Sequence, residues 1–110
     1  MTRDTASSSI FPKRLKQARE RSGLTQEQLG IRAGIDEFSA SSRVNQYEKG
    51  KHAPGIQTSQ HLAKALHVPT SFLYEEDDLL ANLIITAGRL SKEKKKALLA
   101  TAETLAEAKS

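Results

Sequence analysis

The sequence predicts an all-α protein. Apolar residues recur every three or four positions along most of the 110 residues, which is the spacing of helices that bury one face. Glycine and proline separate these stretches where helices are expected to end, at Gly23, Gly34, Gly50, Pro54 and Pro69. No run of alternating β-branched residues indicates a strand. We therefore expect short helices packed around one small core.

The composition limits the chain to one small domain with a terminal extension. Hydrophobic residues make up 37% and only five residues are aromatic, so the core must consist mainly of aliphatic side chains. The absence of cysteine excludes disulfides, thiolate zinc sites and thiol nucleophiles. No stretch approaches the roughly 20 apolar residues of a membrane helix, and residues 1–9 lack the apolar run of a signal peptide. We expect a soluble cytoplasmic protein that does not bind membranes.

The first helix is predicted at Phe11–Ser22 from its helical spacing of apolar residues. Pro12 is expected in its first turn, where a missing N–H would be unpaired in any case. Gly23 ends this helix, since glycine readily adopts the left-handed cap conformation. Residues 1–9 are polar and rich in small side chains, so we expect them to form a disordered arm.

A second, short helix is predicted to begin at Thr25. Thr25 is an N-cap residue, and Gln28 three positions later completes a capping box. Gly34 ends the helix. Gly30 in its interior costs roughly 1 kcal/mol relative to alanine. We therefore expect another helix to pass Gly30 too closely for a side chain to fit.

The third helix is predicted at Ser41–Lys49, with Val44 and Tyr47 on its apolar side. A fourth follows at Ile56–His67, and a short fifth helix contains Phe72. Isolated helices below about 12–15 residues are marginal in water. The short second and third helices must therefore be stabilised by the rest of the domain, which we assign to residues 10–76.

Two further helices are predicted in residues 77–110. The four acidic residues 75–78 are expected to form the solvated start of the first, favoured by the helix dipole, and Ser91 caps the second. The apolar side chains exceed what one short helix pair can bury, so this C-terminal extension is expected to form a homodimer. The side chains concerned are Leu79, Leu80, Leu83, Ile84, Leu98 and Leu105.

Positive charge is concentrated in the front part of the chain. Residues 1–67 contain 11 Lys and Arg against 6 Asp and Glu, a net charge of +5, whereas residues 68–110 contain 6 against 7, a net charge of −1. A basic module fits a polyanionic partner such as nucleic acid. It also fits an inert basic surface, and charge alone does not separate the two.

Three segments carry a family resemblance: GLTQEQLGIRAG, VNQYEKGKHAP and LAKALHVPTSFL. In order and spacing they resemble the Cro/CI-like helix-turn-helix proteins, also called the xenobiotic-response-element family, over about residues 11–74. The resemblance implies a five-helix lambda-repressor-like DNA-binding domain. It also implies a sequence-specific transcriptional regulator, expected here to be a repressor, that binds inverted-repeat double-stranded DNA as a homodimer.

The resemblance implies DNA contacts for residues on and around the third helix. It places Ser41, Ser42 and Gln46 at base-contacting positions and Arg43 toward the DNA backbone. Gln46 can pair with an adenine edge, worth roughly 1–3 kcal/mol of discrimination, whereas serines discriminate poorly. Arg43 can also read guanine, and the sequence leaves both roles open. An ordinary exposed glutamine is the alternative for Gln46.

Contacts to DNA phosphates are expected at the start of the second helix and after the third. Thr25 and Gln26 lie where a helix N-terminus can donate free N–H groups to a phosphate. Lys49 and Lys51 are expected to contact phosphates after the third helix. The alternatives are that Thr25 only caps its helix, and that Gln26 and the lysines are solvated surface residues.

Arg19 and Glu48 are expected to form a structural ion pair. In the family that the chain resembles, an acid at the end of the recognition helix pairs with an arginine of the first helix. Losing one partner of a buried pair can cost roughly 3–5 kcal/mol. We therefore assign Arg19 to the scaffold, and not to DNA contact.

The chain departs from the family pattern in two places. Thirteen residues separate Gly34 from Glu48, about four more than usual, and the surplus is Asp36–Ala40. Its two acids would repel phosphate, so we expect this loop to bend away from DNA or to pack Phe38 on the body. Ser59 stands where relatives bury a leucine. The fourth helix is then looser there, or the C-terminal extension fills the gap.

The sequence does not predict an enzyme. His52, His61 and His67 are nine and six residues apart, which does not place two metal ligands on one helical turn. We expect no catalytic residue, metal site or cofactor. The main alternative to DNA binding is an antitoxin or another protein-interaction module that uses the same fold for an unknown protein partner.

Overall fold

A computed structural model describes residues 2–108, and their side chains from residue 10 onward. Within this range the chain contains helices and turns but no strand, which confirms the all-α prediction. The elements in chain order are α1 (Thr2–Ser22), α2 (Gln26–Arg32), α3 (Ala40–Glu48), α4 (Ile56–Leu66), a 3-10 helix (Thr70–Tyr74), α5 (Asp78–Gly88) and α6 (Lys92–Glu107).

Helix α1 is longer than the sequence analysis predicts. It begins at Thr2 and not at Phe11, so the backbone of residues 2–9 is helical where a disordered arm is expected; Met1 lies outside the described residues. Extending an existing helix needs no new nucleus, which explains how a polar segment can continue it. Pro12 consequently lies inside the helix and not in its first turn.

Helices α2 and α3 pack directly against each other. The predicted capping box is present: Gln28 N donates to Thr25 Oγ1 (3.0 Å) and Thr25 N donates to Gln28 Oε1 (2.9 Å). A Cβ atom placed on Gly30 would lie 2.7 Å from Ala40 Cβ. The prediction that Gly30 faces a closely packed helix is therefore confirmed.

The core joins α1, α2, α3, α4 and the 3-10 helix. Val44 and Tyr47 of α3 are buried in it, as predicted. Its largest fully buried apolar side chains are Leu15, Leu29, Val44, Leu62, Phe72 and Leu73. Every one of the five elements contributes at least one of these, so the short helices α2 and α3 are stabilised by contacts with all their neighbours.

Ser59 is fully buried, and neither expectation for it is correct. Its hydroxyl lies 2.6 Å from Tyr74 Oη and donates to Gly55 O at 3.1 Å. The Tyr74 ring in turn packs at 5.1 Å from Phe11. A tyrosine from the 3-10 helix thus occupies the space beside Ser59, and its hydroxyl satisfies the buried serine.

Arg14 is a buried structural residue that the sequence analysis missed. Its guanidinium donates to Glu75 O (2.9 Å), Glu76 O (3.3 Å) and Asp78 Oδ1 (3.0 Å), and it stacks at 5.5 Å over Phe72. The acidic segment 75–78 is therefore fastened to α1 mainly through backbone carbonyls. Helix α5 begins at the last residue of this segment, Asp78, with Asp77 as its N-cap, so only the end of the acidic segment forms the predicted helix start.

The two helices of the C-terminal extension differ in how they pack. Ala81 and Ile85 of α5 are buried and belong to the core. A Cβ atom on Gly88 would lie 2.8 Å from the Pro69 ring, so α5 also passes close to the segment after α4. Helix α6 has no buried residue along its 16 positions. Only α6 stands away from the domain, so the structural break falls after α5 and not at residue 77.

Candidate nucleic-acid interface

Helix α3 presents a polar edge because its apolar side is fully used by the core. Val44 is 0% and Tyr47 5% exposed. Ser41, Ser42 and Arg43 are exposed, and Gln46 is half-buried. The structure thus brings the three predicted base-contacting residues and Arg43 to the outward face of one nine-residue helix. We call this set, Ser41, Ser42, Arg43 and Gln46, the polar edge of α3.

An ion pair fixes the C-terminal end of α3 against α1. Arg19 Nε donates to Glu48 Oε2 at 2.6 Å and Arg19 Nη2 donates to Glu48 Oε1 at 3.1 Å, a bidentate geometry. The Glu48 side chain is only 3% exposed. Arg19 also donates to Leu24 O at 2.9 Å, just before α2. One guanidinium therefore sets the positions of both helices of the motif.

Hydrogen bonding to Glu48 raises the pKa of Arg19, against a smaller opposing effect of burial. A cation whose pKa is raised on folding contributes stability at every pH below its unfolded value. Since arginine is already protonated throughout the physiological range, its charge does not respond to pH changes there.

Gln26 is engaged within the protein. Its side-chain amide donates to Asn45 Oδ1 (3.2 Å) and to Glu48 Oε1 (3.0 Å), which joins α2 to α3. The Thr25 hydroxyl accepts from Gln28 N in the cap of α2. Both residues expected at phosphates therefore have local roles in the unbound chain. Because both amide hydrogens of Gln26 are used, its side chain can reach a phosphate only by exchanging one of these bonds.

Two hollows flank α3. One of about 440 Å³ lies between α1, α2 and the C-terminal end of α3, and Lys16, Gln26 and Lys49 are among its lining residues. The other, of about 410 Å³, lies between α3 and the start of α4, lined among others by Gln46 and His52. Both hollows open beside residues that can donate hydrogen bonds.

The cations of the interface are held to different degrees. Arg43 Nη2 donates to Tyr47 Oη at 3.2 Å and its guanidinium lies 6.0 Å from the Tyr47 ring centre, so the buried tyrosine directs it. Lys49 and Lys51 are exposed. Between them Gly50 adopts φ +72°, a left-handed conformation that turns the chain away from α3. The two lysines thus follow the helix on a tight turn.

The long turn before α3 leaves Phe38 in solvent. Phe38 is 91% exposed, so the expectation that it packs on the body is wrong. The turn is closed by local hydrogen bonds: Phe38 N donates to Asp36 Oδ2 and Ser39 N donates to Asp36 O, each at 3.0 Å. These bonds would have to break before Phe38 could pack on the domain. Ala40, which follows the turn, is fixed against Gly30.

Three polar residues of this region were missed from the sequence. Lys16 lines the first hollow, and its position one turn before Arg19 on α1 could have indicated this. Asn45 bridges to Gln26, three residues before Glu48 on the same side of α3. His52 lines the second hollow beside Gln46. Its location depends on the fold of the turn after α3, which no local pattern predicts.

Among residues 10–108, whose side chains are described, no group of three His, Asp or Glu side chains is arranged to hold a metal ion. His61 and His67 are exposed on and after α4. Over the same range no helix is both long enough and apolar enough to cross a membrane.

These features define a helix-turn-helix DNA-binding domain. Thr25 caps the short first helix of the motif, α2. The second helix, α3, has its apolar face buried and is held to α1 by a bidentate ion pair. The family model described as Helix-turn-helix matches residues 15–73, and the chain belongs to this family. The match covers α2 and α3 in full and extends from α1 to the 3-10 helix.

Solved and curated relatives agree with this family. The crystal structure of transcriptional regulator BswR is similar with a TM-score of 0.78 and 48% sequence identity, over 84% of this chain and 92% of that one. Two uncharacterised HTH-type transcriptional regulators, from Sinorhizobium medicae (strain WSM419) and Rhizobium meliloti (strain 1021), are each 33% identical over 63 residues. The match spans 57% of this chain and 42% of either relative's length.

Proposed function

We propose that the protein is a sequence-specific transcriptional repressor that binds inverted-repeat double-stranded DNA as a homodimer. The observation that carries the proposal is the geometry of α3: its apolar side is buried, its polar edge is exposed, and Arg19 and Glu48 fix its orientation. A helix presented in this way fits the major groove, which is wide enough to admit it.

Within this proposal the residues have separate roles. Ser41, Ser42 and Gln46 contact base edges, and Gln46 contributes most discrimination because it can pair with an adenine in two ways. The contacts to the DNA backbone come from the start of α2 and from the cations of and after α3; these residues are Thr25, Gln26, Arg43, Lys49 and Lys51. They supply affinity for any sequence and register on the duplex.

The exposed apolar side chains of the last two helices support the homodimer. Leu79 is 72%, Leu83 51% and Leu105 71% exposed. Helix α6 carries two further leucines, Leu98 and Leu99, and buries none of its apolar side chains, although most helical stability in proteins comes from packing an apolar face. A second copy of the same helices supplies the missing surface, and its two-fold symmetry matches an inverted repeat.

Repression follows from occupancy. A homodimer on two half-sites about 34–36 Å apart covers at least one turn of duplex, and bound near a promoter it blocks other proteins from that stretch. This activity requires a cytoplasmic location with access to DNA. We propose no cofactor, since the polar edge of α3 is already accessible in the chain alone.

The test is selection of bound duplexes from a random DNA pool with the full chain. We expect one enriched motif with two inverted half-sites, bound by two protomers in analytical ultracentrifugation. Enrichment of no motif, with only salt-sensitive binding to all DNA, would contradict the proposal. A folded protein that binds no DNA at all would favour the protein-interaction alternative.

A further inference from the structure

Phe38 is the most exposed large apolar residue among those whose side chains are described, at 91%. It does not lie on a frayed segment. The hydrogen bonds that close its turn, from Phe38 N to Asp36 Oδ2 and from Ser39 N to Asp36 O, are both 3.0 Å long. The turn therefore presents a phenyl ring to solvent in a defined place.

That place is the entry to the recognition helix. Phe38 precedes the first residue of α3, Ala40, by two positions, and Ser41 and Ser42 of the polar edge follow at once. In helix-turn-helix proteins the N-terminal residues of the recognition helix contact the base edges. A side chain projecting just before this end lies at the mouth of the major groove when α3 is inserted.

The residues of the turn favour contact with the floor of the major groove over contact with the phosphates that form its rim. The phenyl ring offers no hydrogen bond to phosphate, and Asp36 and Glu37 beside it are repelled by that rim. The carboxylate of Asp36 already accepts a hydrogen bond from its own turn, which keeps it on the backbone of the loop. The floor of the major groove offers one apolar group, the 5-methyl of thymine, and phenylalanine is suited to contact it.

We propose that Phe38 is a specificity-determining residue that contacts a thymine methyl group in the outer part of each half-site. The inference rests on the proposed function, since it requires α3 to enter the major groove. It also assigns a role to the surplus residues of the turn, Asp36–Ala40: they extend the reading surface beyond the two serines, which discriminate weakly between bases.

The first experiment compares selections from a random DNA pool by the unaltered chain and by Phe38→Ala. Because the side chain is 91% exposed, its truncation removes almost no packing and the variant is expected to fold. We expect the same two inverted half-sites from both proteins, with a thymine preference outside the α3 contacts that Phe38→Ala loses. Ile31→Ala, which trims an exposed apolar side chain of α2, serves as matched control and keeps that preference.

The second experiment replaces each thymine of the selected site by deoxyuridine, which lacks only the methyl group. Removing one buried methyl contact corresponds to about a three- to tenfold loss of affinity. We expect this loss for the unaltered chain at one thymine per half-site, and none for Phe38→Ala at that thymine. Equal losses for both proteins, or identical motifs from both selections, overturn the role of Phe38 while leaving the proposed function intact. No motif from the unaltered chain overturns both.

Discussion

Glu48 connects the three helices that position the polar edge of α3. It lies at the end of α3, accepts two hydrogen bonds from Arg19 of α1, and accepts a third from Gln26 of α2. Its side chain is almost fully buried. A carboxylate in such a position is costly to bury alone and is stabilised only by its complete set of donors. Glu48 is therefore one of the residues that orient α3, although it lies outside the polar edge.

We expect Glu48→Ala to lower the free energy of unfolding by about 3 kcal/mol, because it leaves the Arg19 guanidinium and the Gln26 amide without their acceptor. Urea denaturation measures the change. Glu103→Ala removes an exposed acid of α6 and is expected to stay within about 0.5 kcal/mol of the unaltered chain. A loss for Glu48→Ala no larger than for this control would show that the ion pair is not structural.

Gln46→Ala is expected to act on specificity and not on stability. If Gln46 pairs with an adenine, its loss lowers affinity for the selected site by about 1–3 kcal/mol, and affinity for random DNA much less. Competition binding with both duplexes measures the two losses. Gln60→Ala, which truncates an exposed glutamine of α4, is the control and should change neither. Equal losses on both duplexes would contradict base reading by Gln46.

At the level of elements, the contact between α2 and α3 leaves no free space. Gly30 and Ala40 are the smallest residues of their helices at the crossing, and a Cβ on Gly30 would meet Ala40 Cβ at 2.7 Å and its backbone at 3.0 Å. The angle of α3 is set here, despite the longer turn. The surplus residues are accommodated in solvent, as the exposure of Phe38 shows.

Gly30→Ala should therefore destabilise the domain, although alanine is the better helix former. Overpacking of this kind costs about 1–3 kcal/mol. In the upper part of that range the cost exceeds the roughly 1 kcal/mol that alanine gains in helix propensity. The lower Tm is expected together with weaker binding to the selected site, since α3 must shift. At Gly55 a Cβ meets nothing within 4 Å, so Gly55→Ala should leave binding almost unchanged. An unaltered Tm for Gly30→Ala would refute the close approach.

At the level of the whole molecule, α5 and α6 belong to different parts. Helix α5 contributes Ala81 and Ile85 to the core, whereas α6 contributes nothing to it. A truncation that tests dimerisation must therefore keep α5. Removing α5 as well would expose core residues, so a loss of folding could not be distinguished from a loss of association.

Truncation after Leu90 is expected to leave the domain folded, because α6 buries no residue. When the full chain is dilute enough to be monomeric, the two proteins should have a similar Tm. If α6 completes the homodimer, the truncated chain sediments as a monomer at tens of micromolar while the full chain sediments as a dimer. Binding to one half-site should persist, and the cooperative gain from two half-sites should disappear. A full chain that is itself monomeric at this concentration would contradict the homodimer.

Salt dependence tests the number of cations at DNA. Arg43, Lys49 and Lys51 supply three contacts per protomer in the proposal, hence six per dimer, and each phosphate neutralised contributes about 0.9 to the slope of log K against log salt. We expect a slope of about −5 for the full chain. Lys51→Gln in both protomers should reduce its magnitude by about 2. A slope near zero would exclude DNA binding through these residues.

The local and periodic features of the protein follow from its sequence alone. The caps of α2 and α6 and the buried side of α3 depend on residues within one or two turns of each other, so spacing alone predicts them. The family membership rests on the same kind of ordered short motifs, matched over residues 15–73.

Which side chains meet across long sequence separations depends on how the helices pack in three dimensions. Arg14 donates to carbonyls 61 and 62 residues away, and Ser59 forms a hydrogen bond with Tyr74. Helix α5 contributes to the core, whereas α6 does not. The tertiary structure also determines that the Gln26 side chain is hydrogen-bonded within the protein and that the Phe38 side chain is exposed to solvent. The physical reason is that burial and hydrogen-bond partners depend on how helices pack, and the period of a helix specifies its apolar face but not its neighbour.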